Sequence, residues 1–271
     1  MTTYTPGHHE SVLRSHRWRT AENSAGYLLP HLRPGAVVLD VGCGPGSITQ
    51  ELADLVGPTG SVLGIDNAAD VIDVASAEHF ETRHGNLRYD VQDIGDLDLA
   101  DDSFDVVHAH QVLQHLSDPV QALREMARVT RPGGIVAVRD ADYAAMTWHP
   151  DLPAMEEWRA LYRSTARGNG GEPDAGRRLL EWAMAAGFED VAPSASAWCF
   201  ATPEDRDWWG GLQADRITRS AIAEQVVSSS TADRNALERM AAAWREWAST
   251  DTAWFAVLHG ELLCRVPGGP A

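Results

Sequence analysis

Cysteine is scarce in this sequence. Cys43, Cys199 and Cys264 lie far apart, are odd in number and form no C-x-x-C pair. That excludes a disulfide framework and a cysteine-held metal, and it fits a reducing, cytoplasmic compartment. Positive charge is also short, with 22 Lys plus Arg against 39 Asp plus Glu and a net charge of −17. Such a chain repels phosphate backbones, so nucleic acid is not an expected partner. The densest basic stretch, Arg14 to Arg19, is brief and reads as a solvated amphipathic helix. No apolar run approaches the length of a membrane span, and the polar N-terminus has no signal-peptide apolar stretch. An H-E-x-x-H pattern is missing too, so no metal is expected.

The 271 residues suffice for one large domain or a domain with an elaborated cap. Hydrophobic residues at 44% and charged residues at 23% are ordinary for a globular chain and argue against extended disorder. Residues 8 to 33 read as helical, ending at Pro30, Pro34 and Gly35. After them the pattern alternates. Strand candidates are Ala36 to Val41, Ser61 to Ile65, Leu87 to Val91, Phe104 to Ala109 and Ile135 to Val138. Helix candidates are Ser47 to Val56, Ala68 to His79 and Pro119 to Val129. This alternation predicts a doubly wound α/β fold, a parallel sheet covered on both faces. Gly176 to Gly187 reads as a further helix, Trp198 to Ala201 and Trp254 to Val266 as late strands, and residues 204 to 249 as two helices. Pro267 to Ala271 reads as a loose tail.

The informative segment is Val37-Val-Leu-Asp-Val-Gly-Cys-Gly-Pro-Gly46, which runs from a strand into a helix through three alternate glycines. Glycine permits positive φ and close approach of backbone to a ligand, so a cofactor can lie over the strand ends. The dinucleotide fingerprint is G-x-G-x-x-G, with a pyrophosphate on the helix N-terminus. Here the spacing is G-x-G-x-G, and Asp40 stands just before it. A carboxylate is unhelpful beside a pyrophosphate but suits a ligand carrying an ammonium and a sulfonium. Asp66, at the end of the second strand, is placed to accept hydrogen bonds from two ribose hydroxyls.

Five blocks in order carry a resemblance: Leu39 to Gly46, Gly64-Ile-Asp66, Val91-Gln-Asp93, Phe104 to Pro119, and Arg131-Pro-Gly-Gly134. Over about residues 36 to 140 the chain resembles the class I S-adenosylmethionine-dependent methyltransferases, above all small-molecule enzymes of the ubiquinone and menaquinone type. The resemblance implies a seven-stranded, mostly parallel sheet with one antiparallel strand and a helical cap or insertion. It implies S-adenosylmethionine as cofactor. Asp40, Gly42, Cys43, Gly44 and Gly46 would hold the methionine end. Asp66 would take the ribose hydroxyls, with Asn67 beside the adenine, and Asp93 the adenine amino group, with Ile94 supplying a backbone contact. Ala109, His110 and Gln111 would line the methionine side, and Tyr27 on the N-terminal helix would close over the cofactor. At His110 many relatives carry Asn or Ser, and at Gln114-His115 two histidines. The chain is expected as a single domain: a helical cap at 1–34, a cofactor-binding core at 35–142, and substrate-side helices, insertion and terminal strands at 143–271.

Each residue also has a plainer reading. Asp93 before Ile-Gly is a fair turn cap. His115 and His110, then His16, are candidate general bases, because imidazole titrates near neutrality; the plainer reading of His110 and His115, a hydrogen-bonded packing histidine, stands ahead of that role. The ten tryptophans lie mostly outside the cofactor core and read as helix packing or as the walls of a site for a flat acceptor. The expected reaction is in-line methyl transfer to a small-molecule acceptor, quinone-like or of natural-product type. The rival readings are a non-catalytic protein binding S-adenosylmethionine on the same fold, a nicotinamide-dependent oxidoreductase, and a protein or RNA methyltransferase. Oligomeric state stays open, a homo-oligomer included.

Overall fold

A computed structural model describes residues 10–78 and 85–268. The N-terminal stretch forms α1 (Glu10–Arg17), α2 (Ala21–Ala25) and a 3-10 turn at Leu29–His31 rather than one continuous helix. Thr20 and Asn23 break the run, because they build a reciprocal capping box that starts α2. There follow β1 (Val37–Val41), α3 (Ser47–Val56), β2 (Ser61–Asp66), α4 (Ala69–Glu78), β3 (Leu87–Val91), β4 (Phe104–His110), α5 (Pro119–Val129) and β5 (Thr130–Ala141). The predicted end of the fourth helix at His79 and the last residues of the predicted tail lie outside the described residues.

β1 to β5 pair in parallel in the order β3-β2-β1-β4-β5. The chain then makes β6 (Thr147–His149), α6 (Pro153–Gly168), α7 (Leu179–Ala186), β7 (Asp190–Phe200), α8 (Pro203–Arg219), α9 (Ala221–Ser228), α10 (Arg234–Ser249) and β8 (Trp254–Arg265). β8 runs antiparallel between β5 and β7, so the sheet is seven strands wide, and the short β6 pairs the first part of β8. Where two helices were expected over 204–249 there are three, since the chain turns at Ser220 and again before Asp233, which caps α10. β7 starts at Asp190, well before the predicted Trp198. Its first residues are polar or exposed because it is the sheet edge, where Pro193 is tolerated.

Alternation along the parallel strands feeds two cores. Leu39, Val41, Val107, Val136 and Val138 pack against α5 and α7, while Val38, Val62, Val106 and Ala137 pack against α3. A third core lies beyond β5, where α6, α8, α9 and α10 close on Trp198, Phe200, Phe255 and Val257. Trp244 and Trp247 of α10 are fully buried there. Most tryptophans are thus packing residues, as the plainer reading had it. Among the described residues, no helix is long and apolar enough to cross a membrane.

Candidate active site

Parallel pairing brings the carboxyl ends of β1, β2, β3 and β4 to one rim. A cleft of about 640 Å³ opens over it. Of the expected cofactor residues, Asp40, Gly42, Cys43, Gly44, Asp66, Asn67, Asp93, Ile94, His110 and Gln111 line this cleft.

The loop after β1 holds Gly42, Gly44 and Gly46 at φ of +66°, +57° and +87°. A side chain at Gly42 would sit 2.4 Å from a Val112 methyl, so only bare backbone fits. Asp66 pins the loop from β2. One carboxylate oxygen accepts from Gly44 N–H and the other from Ala68 N–H, both at 3.1 Å. Asp40 lies deeper, 3% exposed, and accepts from Thr49 Oγ1 at 2.6 Å and pairs His108 Nδ1 at 2.8 Å. Asp93 fulfils the plainer reading as well, since its Oδ1 accepts from Gly95 N–H at 2.9 Å while the residue lines the cleft.

Three expected residues are placed elsewhere. Gly46 caps α3, its carbonyl accepting from Gln50 N–H at 2.9 Å. Ala109 is buried in the core facing α5 and α7. Tyr27 does not close over the cleft. It packs with Leu28 on the α3 face of the sheet, where burial raises its phenol pKa and Arg139 and Glu261 are its charged neighbours. The capping box starts α2 just before it, and α2 packs on α3, which carries Tyr27 to that face.

The two candidate bases also change role. His110 on β4 pairs in register with Arg139 on β5, and its Nδ1 stands 3.4 Å from an Arg139 guanidinium nitrogen. A guanidinium only donates, so the His110 proton sits on Nε2. Burial, with Arg19 and Arg139 adding to it, holds this imidazole well below its usual pKa. His115 is depressed to about 3 by burial and by Arg19. Gln114 Oε1 accepts from Ala141 N–H at 3.3 Å, which turns its amide nitrogen to His115 Nε2 at 3.0 Å. Both imidazoles are therefore neutral, and the nitrogen that would accept a proton is already engaged. Neither is set up as a general base.

Residues that motif reading passed over complete the cleft, among them Arg19, Gln92, Val112 and Gln121; His16, read only as a third candidate base, is there too. Gln111 ends β4 in the left-handed region at φ +54°. A non-glycine residue held there marks a locally over-determined position. Its Oε1 accepts from Arg19 Nη2 at 2.6 Å, and its amide nitrogen donates to His259 Nε2 at 2.8 Å. His259 then donates from Nδ1 to Val257 O at 3.1 Å. Arg19 and Gln111 also line a second, smaller chamber walled by Trp18, Trp158, Trp198 and Trp209. Among the described residues no group of three or more His, Cys, Asp or Glu side chains is placed to hold a metal.

A glycine loop with acids at or just past the ends of β1, β2 and β3 around one cleft, on this strand order, gives an α/β protein whose cleft fits a nucleoside carrying positive charge. The comparisons with known proteins name the family. Residues 32–196 match the family described as Methyltransferase domain. An uncharacterised methyltransferase of Schizosaccharomyces pombe is 35% identical over 270 residues, covering 96% of this chain and 95% of its own. Demethylmenaquinone methyltransferase of Staphylococcus aureus is 38% identical over 136 residues, 48% of this chain and 51% of that protein. In structure, a Haemonchus contortus phosphoethanolamine N-methyltransferase solved with S-adenosyl-L-methionine superposes with a TM-score of 0.56 at 18% identity, over 90% of this chain and 52% of that one. The chain belongs to the class I S-adenosylmethionine-dependent methyltransferases. It is a transferase of that cofactor's methyl group.

Proposed function

We propose that this methyltransferase acts on a small-molecule acceptor, quinone-like or of natural-product type, and does so by alignment rather than by acid–base chemistry. The observation that carries the reading is the junction. Arg19 and Gln111 line both the cofactor cleft and the tryptophan-walled chamber, so the two spaces adjoin at this pair. S-adenosylmethionine, when bound, supplies a methyl group on a sulfonium, and the C–S electron pair stays with sulfur as the acceptor's pair takes the methyl.

The residues of the chain do the rest. The bare backbone of Gly42, Cys43 and Gly44 receives the methionine end, with Asp40 behind it. Asp66 keeps lone pairs for the ribose hydroxyls, beyond the two backbone donors that hold it rigid. Asp93 meets the adenine amino group, with Asn67 and Ile94 at the ring. His110 and Gln111 face the reacting end. Fixing two reactants in line removes much of the entropic barrier, and the tryptophan walls keep water out.

Small-molecule scope is supported by the chain's acidity, which disfavours RNA, and by the name of the Staphylococcus aureus relative. Three free cysteines support a reducing, cytoplasmic setting. The test is transfer of label from methyl-labelled S-adenosylmethionine to a panel of quinols, phenols, RNA and protein. Label is expected in the organic extract. Tight cofactor binding with label in no acceptor would favour the non-catalytic reading instead.

A further inference from the structure

The chamber beyond Arg19 differs in charge from the rest of the molecule. Among the described residues it is lined by two guanidiniums, Arg19 and Arg216, by the amides of Gln111 and Gln213, and by no carboxylate, in a chain whose net charge is −17. Asp215, next to Arg216 in the chain, is turned to Arg14 at 3.8 Å and Arg219 at 3.5 Å. The sequence has no lysine, so both cations are guanidiniums and neither can lose its charge near neutrality.

Two buried polar atoms at the wall have no partner. Gln213 Oε1, on a residue 3% exposed, lacks a donor, and Trp209 Nε1, on a residue 6% exposed, lacks an acceptor. Buried polar groups left without partners destabilise the fold, so a ligand that satisfies them gains by it. The walls between them are flat rings: Trp18 meets Trp198 edge-on at 5.1 Å, and Tyr143 stacks on Tyr162 at 4.2 Å.

From these observations we infer that the chamber is the acceptor site and that it takes a planar, hydroxylated organic anion, such as an aromatic hydroxy acid or an ionised hydroxyquinone. The inference rests on the methyl-transfer reading and adds the acceptor's chemistry to it. The ring lies against the tryptophans, Arg216 and the Trp209 N–H take the anionic oxygens, and a hydroxyl donates to Gln213 Oε1. Arg19, at the junction, faces the nucleophilic end. In an ionised hydroxyquinone the charge is shared with the nucleophilic oxygen at Arg19, which has no proton left to lose; in an aromatic hydroxy acid the carboxylate is the ionised group, and the phenolic proton leaves to water as the oxygen takes the methyl, so neither acceptor passes a proton to the histidines.

The chamber is closed as it stands, with about 30 Å³ of free space, room for little more than water. One of the contacts across it is Arg216 Nη2 donating to Ser15 Oγ at 2.8 Å, between α8 and α1. Admitting the ring parts α1 from α8 and frees that N–H for the ligand.

The test titrates the S-adenosylhomocysteine complex by calorimetry with matched pairs: salicylate and salicylamide, then 3-hydroxy-2-naphthoate and its amide. Each acid is expected to bind about tenfold or more tightly than its amide, as a charge-assisted hydrogen bond requires. Arg216→Gln should erase that preference and leave the amide and S-adenosylhomocysteine affinities unchanged, while Arg216→Lys keeps part of it. Acid and amide binding alike, acids failing to bind at all, or a preference that survives Arg216→Gln would each overturn the inference. The wild-type comparison stands even if a variant misfolds. Failure of the wild-type protein to bind S-adenosylhomocysteine would instead sink the reading beneath it.

Discussion

Gly42 shows at one position how the cofactor loop depends on a missing side chain. Its φ of +66° alone costs an L-residue about 1–2 kcal/mol, and an added Cβ would press on Val112, itself a wall of the cleft. Gly42→Ala should therefore lower unfolding free energy by about 1 kcal/mol or more in urea titration, and weaken cofactor binding as Val112 moves. A wild-type denaturation curve would contradict this. The histidines make a second prediction. His110, His115 and His259 are all held below their usual pKa, chiefly by burial. Between about pH 6.5 and 5 the unfolded chain gains these protons and the folded chain does not, so stability falls with acidification. Asp140 acts the other way: burial raises it to about 7, so its proton is kept in the fold. Three imidazoles outweigh one carboxyl, and the melting temperature should drop from pH 7 to pH 5. His115→Gln should flatten that slope; an unchanged slope would refute the assignment. The glycines and the acids at the strand tips were legible in the sequence, because G-x-G-x-G and a terminal Asp are local signals. The state of the histidines was not, since it depends on Arg19 and Arg139, which are distant in the chain and join them only through the fold.

At the scale of elements, β4, β5, β8 and β7 carry a polar row on one face, buried at His110, Arg139 and Glu261 and reaching the exposed edge at Ser194. His110 pairs Arg139, Arg139 pairs Glu261, and Glu261 pairs Ser194 across the sheet. Arg139 Nε donates to Glu261 Oε1 at 3.1 Å, Ser194 Oγ donates to Glu261 Oε2 at 2.9 Å, and Ser196 joins both partners. Desolvation brings the guanidinium down to about 10, although Glu261 opposes that shift. Removing one member strands the other charge, so Arg139→Met should cost about 3–5 kcal/mol of stability. Arg139→Met with Glu261→Met should recover most of the loss in the same chemical denaturation series; a double variant as unstable as the single would show that packing, not charge, is at stake. Strands β1 and β2 were legible as short apolar runs that stop at Gly42 and Asp66, β3 as an alternating run and β4 as the run from Phe104 to Ala109, and α3 and α5 match their predicted bounds because Gly57 and the Asp118-Pro119 cap are written locally. β7 was seen only at its apolar end. An edge strand needs no continuous apolar run, so its first eight residues carry little signal.

At the scale of the whole molecule, two charge regimes share one molecule. The cofactor cleft presents acids to a cationic donor; the adjoining chamber presents arginines. A strongly acidic chain keeps phosphate polymers away, and the arginine-lined chamber is walled in part by α1 and α8. Motif reading located the first regime because it sits in one continuous block of sequence. The second is assembled from Trp18 and Arg19, Tyr143 and Trp158, Trp198, and Trp209 to Arg216, which meet only once β7 and β8 have folded back against β5.

The central claim is that Asp66 and its neighbouring strand-tip acids hold the adenosyl donor in the cleft over β1, β2 and β3. Isothermal titration of wild type and Asp66→Ala with S-adenosylmethionine, with NAD as control, tests it directly. The account predicts binding by wild type, affinity lower by about 1–3 kcal/mol in the variant for lost charge-assisted hydrogen bonds, and no heat with NAD. Undiminished affinity in Asp66→Ala, or heat with NAD and none with S-adenosylmethionine, would contradict it.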